Sequence, residues 1–299
     1  MNIVIYGGKG WIGQQFIDIL KKRGICHIIS ETRVNNYDDV YNDLIEYNPT
    51  HVISFIGRTH GTYNDKYFST IDYLEQPGTL VENINDNLYG PLIIAEACKR
   101  YSKFHRPVHY TYMGTGCIFE YDNEHPFEKE ENGFKEKDIP NFTGSSYSIV
   151  KGTTDKLMNI LYPIHCLNIR IRMPITNIDN SRNFITKITN YEKICSVKNS
   201  MTVLPELLPH LVDLMKKQIV GTINFTNPGL ISHNEILEMY KNIVDTNFIW
   251  KNFTLEEQSD ILDSGRSNNY LDTSKLKILC PGVKNIKDSI RDILENYKK

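Results

Sequence analysis

The 299-residue chain has no C-x-x-C pair: Cys26, Cys98, Cys117, Cys166, Cys195 and Cys280 are scattered singly. That spacing excludes the usual structural zinc site and reads as separate thiols in a reducing cytosol. No apolar run approaches the roughly 18 residues that span a bilayer. The amino-terminal run Ile3-Val4-Ile5 breaks at Gly7, too short for a signal core and without a cleavage site. Basic excess is lacking as well. The 34 Lys and Arg residues stand against 36 Asp and Glu, a net charge of −2, so neither a nucleic-acid groove nor a membrane surface is expected. Internal repeats and low-complexity linkers are absent. His105 and His109 have i,i+4 spacing, but Pro107 spoils the helix that would align them, and no metal is expected.

Hydrophobic residues make up 40% and charged residues 23%, an ordinary globular balance. The first half alternates short apolar runs with helical periodicity. Strands are expected at residues 2–6, 25–30, 52–56, 108–113 and 166–172. Between them, Ile12, Phe16, Ile19 and Leu20 mark one helix. Val40, Leu44 and Ile45 mark the inner face of a second, residues 86–100 form a third and residues 145–161 a fourth. Pro91 predicts a kink or a late start in the third helix. This alternation implies α/β architecture: a doubly wound parallel sheet, Rossmann-like, with a smaller substrate-binding lobe. Residues 221–226 read as a strand returning to the sheet. Ser232 with Glu235, and Thr254 with Glu257, have the spacing of helix capping boxes. The expected division is 1–173 with 201–228 for the dinucleotide domain, and 174–200 with 229–299 for the lobe.

The first strand runs into Gly7-Gly8-Lys9-Gly10-Trp11-Ile12-Gly13. Glycines at 7, 10 and 13, between a strand and a helix, let the backbone turn sharply and let a pyrophosphate approach helix N-terminal amides. Lys9 and Arg33 are placed to meet a 2′-phosphate, which favours NADP(H). Glu31 can instead accept ribose hydroxyls, which leaves NADH open. Tyr147 and Lys151 have Y-x-x-x-K spacing, so they share a helix face. The lysine charge can then lower the phenol's pKa from near 10 and suit it to proton donation, while the lysine also holds the nicotinamide ribose. Thr115 lies at the carboxyl end of a strand, where ligands bind in open α/β sheets, and its hydroxyl can polarise a carbonyl beside Tyr147.

The glycine spacing resembles the extended, sugar-nucleotide branch of the short-chain dehydrogenase/reductases. Longer motifs narrow the likeness. The runs Gly116-Cys117-Ile118-Phe119-Glu120-Tyr121-Asp122, Pro140-Asn141-Phe142-Thr143-Gly144-Ser145, Asn183-Phe184-Ile185-Thr186-Lys187-Ile188 and Asn224-Phe225-Thr226-Asn227-Pro228-Gly229 resemble the bifunctional nucleotide-rhamnose synthases, 3,5-epimerase/4-reductases. The resemblance covers nearly the whole chain and weakens at residues 58–85. It implies a nucleotide-linked 4-keto-6-deoxy sugar as substrate, with Cys117 and Lys187 as the acid–base couple for inverting C3 and C5. Their division of labour is left open. It implies that Asn87 supports the cofactor site and that Arg182, Asn183, Arg266 and Asn269 face the nucleotide diphosphate. It implies a cytoplasmic homodimer built through helix faces. Uridine follows only from the resemblance, and thymidine stays open. Two other functions remain at this point: a 4-keto reductase without epimerase activity, for which Cys117 has no use, and a non-catalytic NADP(H)-binding subunit, for which the Tyr147/Lys151 pair has none.

Overall fold

The computed structural model describes residues 1–298. The chain forms two compact units. Residues 1–115, 146–170 and 208–223 make the first; residues 116–145, 171–207 and those from 224 onward make the second.

Strand β1 (Asn2–Tyr6) alternates its faces. Val4 and Tyr6 join a core with Val40, Leu44 and Ile94, whereas Ile5 lies against Gly8 together with Ile17. Helix α1 (Trp11–Lys22) buries Phe16, Ile17 and Leu20. After β2 (Cys26–Ile29), Asn36 caps α2 (Tyr37–Tyr47) by accepting the Asp38 N–H. Val40 and Leu44 of α2 are buried as expected, but Ile45 is exposed. Strand β3 (His51–Ser54) is wholly buried. A hairpin, β4 (Gly61–Tyr63) and β5 (Lys66–Phe68), and a 3-10 turn at Ile71–Glu75 fill the segment for which periodicity predicted nothing.

The third helix starts earlier than expected and absorbs Pro91 without a break. Helix α3 (Leu80–Ile84) passes through a π-turn (Asn85–Tyr89) into α4 (Gly90–Phe104). Pro91 lacks the N–H that would bond the Asn87 carbonyl. The wider π-turn sits just before it, and the Thr154 hydroxyl donates to that carbonyl at 2.7 Å.

Strand β6 (His109–Thr115) is buried throughout. After Thr115 the chain leaves the sheet. Residues 171–173, 201–207, 224–228 and, above all, 116–145 are expected in the dinucleotide domain, but they lie in the second unit. The reason is their bonding: Phe134 N–H donates to Tyr270 O, and Asp272 N–H to Phe134 O, both at 2.8 Å. Then follow α5 (Ser146–Leu161), β7 (Cys166–Ile171), β8 (Pro174–Ile175), α6 (Phe184–Asn190) and β9 (Thr202–Val203). Helix α7 (Leu204–Lys216) carries Pro209 inside it, and β10 (Gly221–Asn224) returns to the sheet. The second unit ends with α8 (His233–Ile243), α9 (Leu255–Ser259), α10 (Ser274–Leu279) and α11 (Ile286–Glu295). Both expected capping boxes form at the starts of α8 and α9.

The main sheet has six strands in the order β10-β7-β6-β3-β1-β2. Strand β1 pairs in parallel with β2 and β3, and β3 with β6. The chain therefore reverses direction across the sheet between β1 and β3. The carboxyl edge of such a switch point is where open α/β sheets bind ligands.

Candidate active site

The glycine turn sits at that switch point. Gly7 has φ +73°, and a Cβ there would come within 2.9 Å of Ile56 N. A Cβ on Gly13 would meet Gly7 O at 2.7 Å and Gly8 Cα at 2.9 Å. Side chains are therefore excluded where backbone must pass backbone. Gly10 caps α1 without a side-chain bond, and Trp11 and Ile12 open the helix. The first-turn N–H groups are left for an anion, so the turn fits a dinucleotide pyrophosphate.

The charges beside it are paired. Lys9 Nζ lies 2.7 Å from Glu31, which holds that carboxyl below its usual range. Arg33 reaches Asp86 at 3.5 Å, and Arg58 binds the same carboxylate at 2.8 Å. Asn87 is fully buried. Its side chain accepts from Arg58 N at 3.0 Å and donates to Arg58 O and Asn83 Oδ1, each at 2.9 Å. Asn87 thus fixes the loop after β3, and its amide is spent on that task.

Thr115 is the last residue of β6 and is buried. Tyr147, half-buried, lies in the first turn of α5, with Lys151 one turn on and only 4% exposed. The Lys151 ammonium donates to Tyr112 Oη at 2.5 Å. Two anchors position α5. At its start, Glu75 accepts from Ser146 N at 2.8 Å. Further along, Asp155 takes two bonds from Arg170, at 2.9 and 2.6 Å, and one from Asn168 at 2.6 Å. Glu75, Tyr112 and the Asp155–Arg170 pair are absent from the residues singled out by sequence. Glu75 belongs to the segment where the resemblance weakens, and only the alternation of β6 hinted that Tyr112 and Tyr110 share a face.

In the second unit, Cys117 is half-buried and is a thiol. Its turn is braced by Asn269, whose amide donates to Gly116 O at 3.0 Å and Phe119 O at 2.9 Å. Arg172, buried just beyond the end of β7, donates to Asn269 O and Ser267 O at 2.8 and 2.7 Å. Lys187 lies on α6. Burial first, then the neighbouring Arg182 and Arg266, push its pKa down. Three cations gathered in this way are the surroundings a diphosphate would relieve. Arg266 also donates to Ser264.

Two residues expected to face the nucleotide take other places. Asn183 is fully buried and caps α6: its Oδ1 accepts from Ile185 N at 3.3 Å, and its amide donates to Thr176 O and Ile178 O at 2.9 and 3.0 Å. Asn269 is likewise fully buried and holds the Cys117 turn. Asn183 orders the helix of Lys187, and Asn269 orders the segment of Cys117. Among the described residues no cluster of three or more His, Cys, Asp or Glu could hold a metal, and no helix is long and apolar enough to cross a membrane.

No family model matches the chain. It is 48% identical to the UDP-rhamnose synthase of Acanthamoeba polyphaga mimivirus, whose crystal structure superposes with a TM-score of 0.92 over 99% of both chains. It is 43% identical over 300 residues to a bifunctional dTDP-4-dehydrorhamnose 3,5-epimerase/reductase of Arabidopsis thaliana, covering all of this chain and 94% of that one. The chain belongs to the bifunctional nucleotide-rhamnose synthases. The whole chain shares its fold with simpler enzymes. The dTDP-4-dehydrorhamnose reductase of Bacillus anthracis, solved with NADP, matches with a TM-score of 0.75 at 15% identity over 98% of both chains. That likeness is one of fold. The parallel sheet and glycine turn described above are that shared Rossmann-like fold.

Proposed function

We propose that the protein converts UDP-4-keto-6-deoxy-D-glucose to UDP-L-rhamnose, inverting C3 and C5 and then reducing the C4 ketone. The observation that carries this reading is the 48% identity, over essentially the whole of both chains, with a UDP-rhamnose synthase.

A 4-ketone acidifies the protons on C3 and C5. Cys117 and Lys187 are assigned their removal and return, one as base and the other as acid. The lowered pKa of Lys187 supports the role, because an ammonium made less stable by burial gives up its proton more readily. Each exchange moves one proton from carbon to the base and one from the acid onto the opposite face, which leaves the couple with its protons exchanged, and proton exchange with water resets it. Thr115 and Tyr147 are assigned the ketone oxygen, where their hydroxyls donate as negative charge develops. In the reduction Tyr147 gives its proton to the C4 oxygen, and the buried Lys151 charge makes that transfer easier.

Gly7, Gly10, Trp11, Ile12 and Gly13 would hold the pyrophosphate of NADP(H), with Lys151 and Tyr147 toward the nicotinamide ribose. The bound nicotinamide supplies the hydride for C4. The preference for NADPH over NADH rests on Lys9 and Arg33. Glu31, the acid that would repel a 2′-phosphate, is already neutralised by Lys9. An exposed pair of this kind is screened by water, so an incoming phosphate exchanges readily with it. Arg182 and Arg266 take the nucleotide diphosphate. A cytosolic homodimer completes the reading. Leu80, Val81, Ile84 and Tyr89 along α3 and the π-turn, with Ile149 and Ile160 on α5, leave apolar side chains exposed.

The test is a product assay. Incubation with UDP-4-keto-6-deoxyglucose and NADPH is expected to yield the L-rhamno sugar. A 4-reduced product with C3 and C5 unchanged would leave only a reductase.

A further inference from the structure

Helix α5 carries Tyr147, Lys151 and Asp155 four residues apart, so the three side chains rise from one face. Strand β6 presents Tyr112 to that face, fully buried in the same core as Met158 of α5 and Cys166 of β7. The Lys151 ammonium lies 2.5 Å from Tyr112 Oη and 4.6 Å from the centre of its ring. The chemistry assigned above makes no use of Tyr112.

A buried ammonium needs acceptors, because burial favours its neutral form. The carboxylate one turn further along α5 is already committed. Asp155 accepts two bonds from Arg170, one from Asn168 and one from Asn159 at 3.2 Å, which fills its oxygens. Tyr112 offers a neutral oxygen instead, and it stays neutral. Burial, then Tyr147, Asp155 and Cys166, push its phenol pKa far up. The titratable and charged groups around this pair are Tyr147 and Asp155 on α5, Tyr110 on β6, Cys98 on α4, and Cys166 and Arg170 on β7. Among them Cys98, Cys166 and Tyr110 are raised by burial and carry no charge at working pH.

We propose that Tyr112 is a positioning residue for the reduction: its phenol oxygen accepts from Lys151 and keeps that ammonium charged and aimed at the level of Tyr147. The proposal rests on the assignment of Tyr147 and Lys151 as the proton-donating pair. It deepens that assignment by naming what stabilises the lysine.

The test is Tyr112→Phe, which keeps the ring and removes the oxygen. With an acceptor lost, the charged form of Lys151 is less stable. The alkaline limb of kcat for keto-sugar reduction should move about one unit to lower pH. On the alkaline side of the new limb kcat should fall about tenfold, with KM for the keto sugar unchanged. Independently of turnover, carbon-13 NMR of ε-labelled lysine, with the Lys151 signal assigned by its loss in Lys151→Met, should show Lys151 titrating lower in Y112F. Tyr112→His returns an acceptor and should bring the limb back toward the native position. A Y112F enzyme with a native near-ultraviolet circular dichroism spectrum, an unmoved alkaline limb and an unmoved Lys151 titration overturns the proposal. If Y112F is misfolded, Y112H carries the test, and a limb displaced as far as in a Tyr112→Leu variant overturns it. Lys151→Met separates the two levels of the argument. If that variant reduces the keto sugar at the native rate, the Tyr147/Lys151 assignment itself fails, whatever Tyr112 does.

Discussion

Acid should destabilise this fold through a histidine pair, one of which opens the strand that ends in Thr115. His51 on β3 and His109 on β6 face each other across adjacent strands, ring centres 5.5 Å apart. His51 Nε2 bonds Met215 O at 3.0 Å and His109 Nε2 bonds Ile219 O at 2.7 Å, so both rings tie the sheet to the end of α7 and the turn that follows it. Burial, followed by the neighbouring His109, pushes the His51 pKa down to about 4, and burial lowers His109 as well. The sign follows from linkage. The folded state resists protonation while the unfolded chain takes up protons near pH 6.5. Stability is therefore complete above pH 6.5 and falls as the pH drops toward 4, where the folded form also titrates. A depression from 6.5 to about 4 corresponds to about 3 kcal/mol for His51 across that window, and to about 2 kcal/mol by pH 5. That is a large part of a usual folding stability of about 5–15 kcal/mol. Urea unfolding at a series of pH values reads the slope. His51→Gln keeps a donor but cannot titrate. It should cost about 1 kcal/mol at pH 7 for an imperfect hydrogen bond and flatten the slope between pH 6.5 and 4. An acid slope in H51Q as steep as in the native protein would refute the assignment of that slope to His51.

Two further substitutions test how the site is built. Gly13→Ala places a methyl 2.7 Å from Gly7 O, so it should destabilise the protein by about 1–3 kcal/mol and weaken NADPH binding, read by nucleotide fluorescence titration. Arg170→Met leaves the Asp155 carboxylate buried without its cation. It should lower unfolding stability by about 3–5 kcal/mol in denaturant titrations and loosen α5, where Tyr147 and Lys151 lie.

The glycine turn and the Tyr147/Lys151 pair were legible in the sequence because each is a local pattern, complete within one turn or one helix. Strands β1, β2, β3 and β6 were legible for the same reason, whereas the hairpin β4–β5 was not. Helix α7 was not, because Pro205 and Pro209 interrupt its pattern while Leu207, Leu208, Leu211 and Met215 bury its inner face regardless. Pro91 marked a real irregularity, the π-turn before the α-helix restarts at Gly90, and the helix carries on because Thr154, distant in sequence, takes the carbonyl it strands. Asn183 and Asn269 look like surface ligands in a motif. Their burial is set by Thr176 and Ile178 in one case and by Gly116 and Phe119 in the other. Those partners become visible only once the chain has folded back. The same holds for Glu75 on Ser146: a carboxylate capping a helix that begins 71 residues later leaves no local signature.

The most direct measurement is proton exchange on the keto sugar itself. The protein is incubated with UDP-4-keto-6-deoxyglucose in deuterated water without nicotinamide cofactor, and the sugar is examined by NMR. The account predicts deuterium at both C3 and C5 with native protein and none with Cys117→Ser, while that variant still binds NADPH. Exchange by the Cys117→Ser protein at the native rate, or no exchange by the native protein, would contradict it.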